Sequence, residues 1–239
     1  MGLSTSATTT QAGGRPWSVV SREVARPAVS TLTLTAVVVL AASGCGTKTV
    51  QAPQNVAPAA RPASGAAPWP APPDPLELTR KAGLTPEPEE LLAYHVHSHL
   101  DVFLNGEPVR VPAGIGINIH DPAVHHAPLP DGTEGYGGIS HPCAQPCISP
   151  LHTHDDTGIL HTESARSSPN TLGQFFTEWN VWLDRKCVGG YCRPATSVLV
   201  YVDGDRYTGD PAAISLTDHK EIAILIGTPP KKIPTSFGF

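Results

Sequence analysis

Apolar and polar positions alternate between residues 94 and 104. The residues of one parity are apolar except Ser98, whereas those of the other parity include three histidines and an aspartate. A repeat of two residues is that of a β-strand whose two faces meet different surroundings. Asn105-Gly106 follows with the residues that a tight hairpin turn favours, so VRVP from Val109 is predicted to return beside the first strand.

The same pattern recurs near the end of the chain. In SVLVYVDGDRYTG from Ser197, the turn is predicted at Asp203-Gly204. EIAILIG from Glu221 is nearly all apolar, which is typical of a central strand covered on at least one face. The last part of the chain is therefore expected to supply a second hairpin and a buried strand.

One helix is predicted between the two hairpins. Asn170 or Thr171 is the expected N-cap, because a side-chain oxygen there can accept from a free backbone N–H of the first turn. The large apolar side chains that follow have the spacing i, i+3, i+4 and i+7 of one helix face, and they are expected in the core: Leu172, Phe175, Phe176 and Trp179.

The order of these elements predicts the fold class. Two strands, an irregular histidine-rich segment, a helix and two more strands indicate a single α+β domain with a mixed, mostly antiparallel sheet and one packed helix. A β-grasp-like topology is preferred, and a β-sandwich with an inserted helix is the alternative.

The first 44 residues have the layout of a bacterial export signal. Three arginines precede the apolar stretch 32–42, which is too short to span a bilayer comfortably, and small residues then lead to Cys45. The stretch LAASGC resembles the lipobox of bacterial lipoproteins. The resemblance implies cleavage before Cys45, a diacylglyceryl group on its sulfur, and a lipid anchor at the outer face of the cytoplasmic membrane.

Composition divides the chain into three parts. Residues 1–44 are the expected signal peptide, 45–75 the lipidated cysteine with a disordered Ala/Pro-rich stalk, and 76–239 the histidine-rich α+β domain. The stalk has too few large apolar groups to offset the entropy of ordering it. Loss of the signal removes three arginines and one glutamate, so the formal net charge changes from −5 to −7. This acidic balance argues against nucleic acid as a partner.

Histidines are concentrated in one segment. All eleven lie between residues 95 and 219, and ten of them lie between 95 and 161. His95-x-His97-x-His99 places three imidazoles on one face of a strand, about 6.6 Å apart along the backbone, and two such rings can converge on one ion. LHTHDDTGILHTE contains a second pair with the same spacing, His152 and His154, before a turn expected at Thr157-Gly158.

These segments predict a metal site. If they pair as neighbouring strands, their imidazoles can form a nitrogen shell for Zn(II) or Cu(II) from His95, His97, His152 and His154. Further or outer ligands are then expected from His161, Glu163 or Asp156. The mature chain has no methionine, which argues against a thioether site for Cu(I). The alternative is a polar sheet face with ordinary hydrogen bonds.

The other histidines are assigned by context. Solvated loop positions are expected for those in NIHDPAVHHAP, which are His120, His125 and His126, and His219 is expected in a turn. His99 and His141 are left open as additional members of the site.

Four cysteines remain if Cys45 carries a lipid. An even number in an oxidising compartment favours two disulfides. Cys187 and Cys192 flank VGGY, whose glycines permit a tight reversal, so this pair is favoured and leaves Cys143 with Cys147. The alternative is a copper site, because the spacing of Cys143 and Cys147 resembles that of the Sco copper chaperones. Those proteins have a thioredoxin fold, whose strand and helix alternation this sequence lacks.

A wider resemblance rests on four stretches. YHVHSHLDVFLNGEPVRVPAGIGI, LHTHDDTGILHTE, TLGQFF and LTDHKEIAILIG are similar to an uncharacterised family of exported microbial proteins, over most of residues 92–228. The resemblance implies an exported location and carries no assigned activity.

Three functions are compatible with the sequence. The preferred one is a membrane-anchored metal acceptor, buffer or chaperone for Zn or Cu, whose partner is an exported metalloprotein or a transporter. The second is a metal-dependent hydrolase, because His152-x-His154-x-Asp156 resembles the start of the HxHxDH motif of metallo-β-lactamase-like enzymes, although Thr157 stands where that motif has its last histidine. The third is an interaction or adhesion domain without metal.

Overall fold

The computed structural model describes residues 67–238. Two α-helices, one 3₁₀ turn and eleven strands occur within this range, in the following order along the chain: α1 (Pro75–Lys81), β1 (Tyr94–Leu104), β2 (Glu107–Val109), β3 (Val124–Pro128), β4 (Glu134–Ile139), β5 (Leu151–His152), β6 (Ile159–Ser164), α2 (Leu172–Glu178), β7 (Cys187–Val188), β8 (Tyr191–Cys192), β9 (Val198–Val202), β10 (Asp205–Tyr207), the 3₁₀ turn (Pro211–Ala213) and β11 (Lys220–Ile226).

Seven of these strands form one mixed sheet. Its order is β10-β9-β11-β1-β6-β5, and β2 pairs with the end of β1. β1 and β11 are parallel, and the other pairs are antiparallel. The predicted α+β class with a mixed, mostly antiparallel sheet is thus confirmed. Because the first and last long strands lie side by side at its centre, and the other described strands form only two small hairpins, the arrangement is β-grasp-like rather than a sandwich.

Local sequence explains the two long hairpins and the central strand. Asn105 and Asp203 have φ values of 54° and 52°, and each precedes a glycine with positive φ, as the predicted turns require. β11 is buried along almost its whole length, which confirms the central strand predicted from its apolar run.

Helix α2 covers one face of the sheet. Thr171 is its N-cap, where the side chain accepts from the backbone N–H of Gln174 while the Gln174 side chain accepts from Thr171, a capping box. The predicted apolar stripe of α2 is buried in the same core cluster as the apolar parity of β1, including Leu100 and Val102. Because side chains alternate along a strand, the histidine parity of β1 faces the other side of the sheet.

The folded domain begins earlier than predicted. Trp69, assigned to the stalk by its Ala/Pro-rich context, is only 2% exposed, and its ring meets that of Trp179 edge to face with centroids 5.6 Å apart. Trp179 Nε1–H also donates to the Trp69 carbonyl at 3.2 Å. A single aromatic residue therefore fixes a proline-rich segment to the core. The signal peptide, Cys45 and the stalk up to residue 66 lie outside the described residues.

The predicted helix is present as α2, and the domain has a second helix that was not predicted. Helix α1 begins with Pro75 at its first turn and packs beside α2. It has just seven residues, of which Leu78 and Thr79 are buried, so its apolar pattern is too short to be recognised from sequence.

Two disulfides are present, Cys143–Cys147 and Cys187–Cys192. They have the connectivity favoured from the sequence, and the second one closes the β7–β8 hairpin. Disulfides of this kind are typical of an oxidising, extracytoplasmic compartment. Because both sulfurs of the first pair are bonded to each other, that pair does not supply the thiolates of the Sco-like copper alternative. Among residues 67–238, no helix is long and apolar enough to cross a membrane.

Candidate metal centre

Register places five predicted side chains on the same face of β1, β6 and β5. His97 lies opposite His161, and His161 lies opposite His152, so one row of imidazoles crosses three strands. In the next row, His95 lies opposite Glu163. Directly opposed residues of an antiparallel pair point to the same side of the sheet. The side chains of both HxH pairs therefore converge on one region.

The sequence predicted that the two HxH pairs lie on adjacent strands, but they do not. β6 runs between them, and its His161 fills the gap. In addition, β5 ends at His152, so His154 has left the strand and its ring turns back towards the cluster. The centroid of the His154 ring is 4.6 Å from that of His152 and 4.3 Å from that of His161.

Backbone carbonyls fix the orientation of two of these rings. The Nδ1–H of His152 donates to the carbonyl of Ser149 at 2.8 Å, and the Nδ1–H of His154 donates to the carbonyl of Tyr136 at 2.6 Å. A carbonyl can only accept, so both protons must reside on Nδ1. The lone pair of each neutral ring is then on Nε2, which is how outer hydrogen bonds prepare histidines for metal ligation.

The two Nε2 atoms of His152 and His154 are 3.2 Å apart. Two lone pairs cannot hydrogen-bond to each other, so this approach requires a proton or a cation between the rings. Two nitrogen ligands of a tetrahedral zinc ion, each about 2.0 Å from it, lie roughly 3.3 Å apart. The distance is thus that of two ligands on one ion.

Burial favours the neutral form of three imidazoles: His152, His97 and His161. His152 is fully buried, and burial lowers its pKa to about 3. Burial likewise lowers the pKa of His97 to about 4 and lowers the pKa of His161. Near neutral pH these rings therefore present lone pairs rather than positive charge.

Glu163 contributes a buried anion at the centre of the cluster. Its Oε1 is 3.1 Å from His95 Nε2 and 3.5 Å from His161 Nδ1, and its side chain is 4% exposed. Burial alone would raise its pKa, but a hydrogen bond from His161 and the neighbouring imidazoles lower the pKa of this carboxyl to about 2. Its Oε2 makes no hydrogen bond with any residue in the described range.

The ligand-type atoms fall into groups whose members all lie within 4.8 Å of one another. Three groups occur in residues 67–238: His152, His154, His161 and Glu163; His95, His97 and His161; His99, Asp101 and Glu221. The first two share His161, and each can hold a metal ion. In the third, His99 Nε2–H donates to the Thr157 carbonyl at 2.8 Å and Nδ1 lies 2.9 Å from Glu221. Burial opposes the charge of His99, but the hydrogen bond to Glu221 raises its pKa, and both ring nitrogens of His99 are engaged by these two partners.

Asp156 does not join the cluster. It forms an ion pair with Arg110, which also binds Asp131 at 2.7 Å. The structure thus places Asp156, predicted as a further or outer ligand, outside the three ligand groups, because the turn after β5 directs its carboxylate to that arginine. The HxHxD resemblance loses its third ligand for the same reason.

The segment with His125 and His126 is a strand rather than a loop. Both lie in β3, with exposed side chains, and β3 pairs with β4 over the site. Gly137 in β4 has a φ of 147°, and a Cβ there would lie 2.0 Å from Nδ1 of His154. A glycine is thus required where this hairpin meets the ring. His120 is exposed, as expected, and His219 has the positive φ of a turn residue.

An open pocket of about 380 Å³ lies over the cluster. Its floor includes the histidines at 95, 154 and 161, and its walls include Leu129 and Tyr136. Glu90, which sequence reasoning missed, lies at the rim: Oε1 accepts from the backbone N–H of Gly138 at 3.1 Å and is 4.0 Å from His154 Nε2. It comes from an acidic stretch without periodicity, which gave no signal.

Fold and site together define a class: a disulfide-containing α+β domain with a cluster of neutral imidazoles and one carboxylate on the face of the sheet opposite its helix. Comparison with protein-family models, curated proteins and solved structures finds no match for the chain. Function is therefore inferred from the residues of the cluster themselves.

Proposed function

We propose that this protein is an extracytoplasmic metal-binding lipoprotein, anchored through Cys45, that accepts, buffers or delivers a divalent transition metal, Zn(II) or Cu(II). The ion is held by the first ligand group: His152, His154, His161 and Glu163. One observation carries the proposal. The imidazoles of buried His152 and partly exposed His154 both have their protons on Nδ1, their proton-free Nε2 atoms are 3.2 Å apart, and a cation between them resolves that contact.

The ligand chemistry supports these metals. Three imidazoles with one carboxylate form a set that Zn(II) and Cu(II) accept readily, whereas Ca(II) and Mg(II) prefer oxygen ligands. The ionised Glu163 offsets part of the positive charge that a divalent ion would bring to this buried site.

Exposure supports a role in metal exchange. The His152 side chain is buried, but those of His154 and His95 are 26% and 35% exposed and border the pocket. An ion at this place is reachable by a donor or an acceptor, for which an exported metalloprotein or a transporter is the expected partner. The hydrolase alternative is less well supported, because Asp156 is held by Arg110.

Metal titration of the purified protein tests the proposal. The mature chain with Cys45→Ser, produced without a histidine tag and stripped with a chelator, is titrated with Zn(II) and Cu(II) in a calorimeter. A submicromolar dissociation constant is expected, which corresponds to a favourable binding free energy of more than about 8 kcal/mol. His152→Ala and His154→Ala should each weaken it at least about 100-fold.

His120→Ala is the matched control, because His120 is exposed and lies outside the three ligand groups. Binding weaker than micromolar in the unaltered protein, or equal loss in the control, would refute the proposal. Assays of β-lactam and phosphoester hydrolysis on the metal-loaded protein separate the binding function from the hydrolase.

A further inference from the structure

The cluster contains more donors than one ion uses. The first two ligand groups together contain five imidazoles and one carboxylate, whereas a zinc ion in a protein takes four ligands. Ligands about 2.1 Å from a common ion are at most about 4.2 Å apart. The donors instead divide into two groups that have only His161 in common.

We propose that the cluster binds two metal ions, the second at His95, His97 and the carboxylate of Glu163, while His161 remains a ligand of the first. This inference rests on the proposed function, since the first ion occupies the group that contains His152 and His154. The second ion is again a divalent transition metal that prefers nitrogen ligands.

The rings of β1 are already directed at a common point. Side chains two residues apart on a strand start about 6.6 Å from each other, yet the centroids of the His95 and His97 rings are 4.5 Å apart. The His97 and His161 rings are also 4.5 Å apart. His95 Nε2 is 3.1 Å from Glu163 Oε1, close to the roughly 3.3 Å between neighbouring ligands of one ion.

Glu163 lies where a bridging carboxylate would be needed. Its Oε1 is 3.1 Å from Nε2 of His95, in the second group, and 3.9 Å from Nε2 of His152, in the first. Its Oε2 has no hydrogen-bond partner among residues 67–238, although the side chain is almost fully buried. In two-metal sites the ions are about 3.5–4 Å apart, a separation that the two oxygens of one carboxylate can span.

Nearby acids supply further negative charge. Glu90 Oε1 lies 4.0 Å from His154 Nε2 on the side of the first ion. Asp218 Oδ1 accepts from the backbone N–H of His97 at 3.3 Å on the side of the second. Glu90 thus lies near the first proposed ion, Asp218 lies near the second, and Glu163 lies between the two ions. These three carboxylates reduce the repulsion between the two dications.

The third ligand group, around His99, is not the site of the second ion. Both ring nitrogens of His99 already have partners, the Thr157 carbonyl and the Glu221 carboxylate. It provides a control position on the same strand and the same face of β1.

Stoichiometry and spin coupling test the two-ion site. The same metal-free protein is titrated with Cu(II), and bound copper is measured by equilibrium dialysis while electron paramagnetic resonance spectra are recorded at each step. Two equivalents are expected. The mononuclear signal should grow up to the first equivalent, and the second should broaden or diminish it, because the two spins are then neighbours.

Variants assign the second ion. His95→Ala and His97→Ala are each expected to reduce the stoichiometry from two to one, and the remaining ion should keep its mononuclear signal. His99→Ala and His120→Ala should still bind two. His95 is partly exposed, so its replacement leaves the folded core untouched even if His97→Ala disturbs β1.

The failures of the two proposals differ. One equivalent with an unperturbed mononuclear signal overturns the two-ion site and leaves the proposed function standing, whereas no tight binding overturns both. A second equivalent that survives in His95→Ala and His97→Ala but is lost in His99→Ala places that ion in the third group and overturns the assignment.

Discussion

Glu178→Gln is expected to make the stability of the protein less dependent on pH. Glu178 ends helix α2, is completely buried, and accepts from the Thr79 hydroxyl of helix α1 at 2.7 Å. Burial raises its pKa from 4.5 to about 8, although hydrogen bonds from Ser149 and Thr79 oppose the change. Near neutral pH this side chain is therefore protonated in the folded state and ionised in the unfolded state.

The sign and size of the effect follow from proton linkage. Between pH 4.5 and 8 the folded state binds one proton more than the unfolded state at this position, so the free energy of unfolding falls as pH rises. Each pKa unit corresponds to about 1.4 kcal/mol, so the loss at pH 7 is roughly 3 kcal/mol relative to pH 4.5. Glutamine is neutral at every pH and keeps an acceptor for the Thr79 hydroxyl. It therefore removes the contribution of this position to the pH dependence of the free energy of unfolding.

Urea unfolding followed by tryptophan fluorescence measures the effect. Curves are recorded from pH 5 to pH 8 with a chelator present, so that bound metal does not add stability. The informative quantity is the difference between Glu178→Gln and the unaltered protein, because the histidines also titrate in this range and cancel in the subtraction. Glu77→Gln on the exposed side of α1 is the matched control.

The variant should gain roughly 3 kcal/mol relative to the unaltered protein between pH 5 and pH 8, while the control shows no trend. A difference that stays constant over this range would mean that Glu178 is ionised in the folded protein, and the argument from burial would be wrong.

Three further changes test the site and the core of the domain. Gly137→Ala should weaken metal binding about 10–100-fold in calorimetric titration, because its Cβ would enter the adjacent imidazole ring; Gly132→Ala in the same hairpin, with nothing within 4 Å, should not. Trp69→Ala should cost about 3–5 kcal/mol in urea unfolding, whereas Trp182→Ala, at a position 46% exposed, should cost far less. Asp156→Asn should leave metal affinity unchanged, and a large loss would return this residue to the ligand set.

Local patterns were sufficient for much of the fold. The turn at Asn105 and the capping box at Thr171 depend on residues within a few positions of each other, and the alternation in β1 records which side of the strand is covered. Helix α1 and the anchoring of Trp69 were missed because each is stabilised by contacts with α2, about a hundred residues away. A short or proline-rich segment gives no local sign of such packing.

The sequence predicted which residues belong to the candidate site better than it predicted how they are arranged. Repeated HxH spacing identified the imidazoles, but the position of β6 between the two pairs is a matter of long-range register. The groups that orient His152 and His154 are backbone carbonyls, which every residue possesses and no sequence motif marks. The ion pair of Asp156 with Arg110 could not be predicted, because Arg110 lies in a different part of the chain.

The imidazoles of the cluster differ in exposure, from partly exposed rings beside the pocket to a fully buried one. α2 covers the opposite face of the sheet, whereas the histidine face is partly covered by the β3–β4 hairpin and opens to the pocket. His95 is about one third exposed, His154 about one quarter, and His152 not at all. An ion arriving from solvent would meet the exposed imidazoles first and reach the buried, carbonyl-oriented ring last. Because the buried ring would lose least freedom on binding, it would hold a bound ion most firmly, and the outer rings would be free to exchange that ion with a partner.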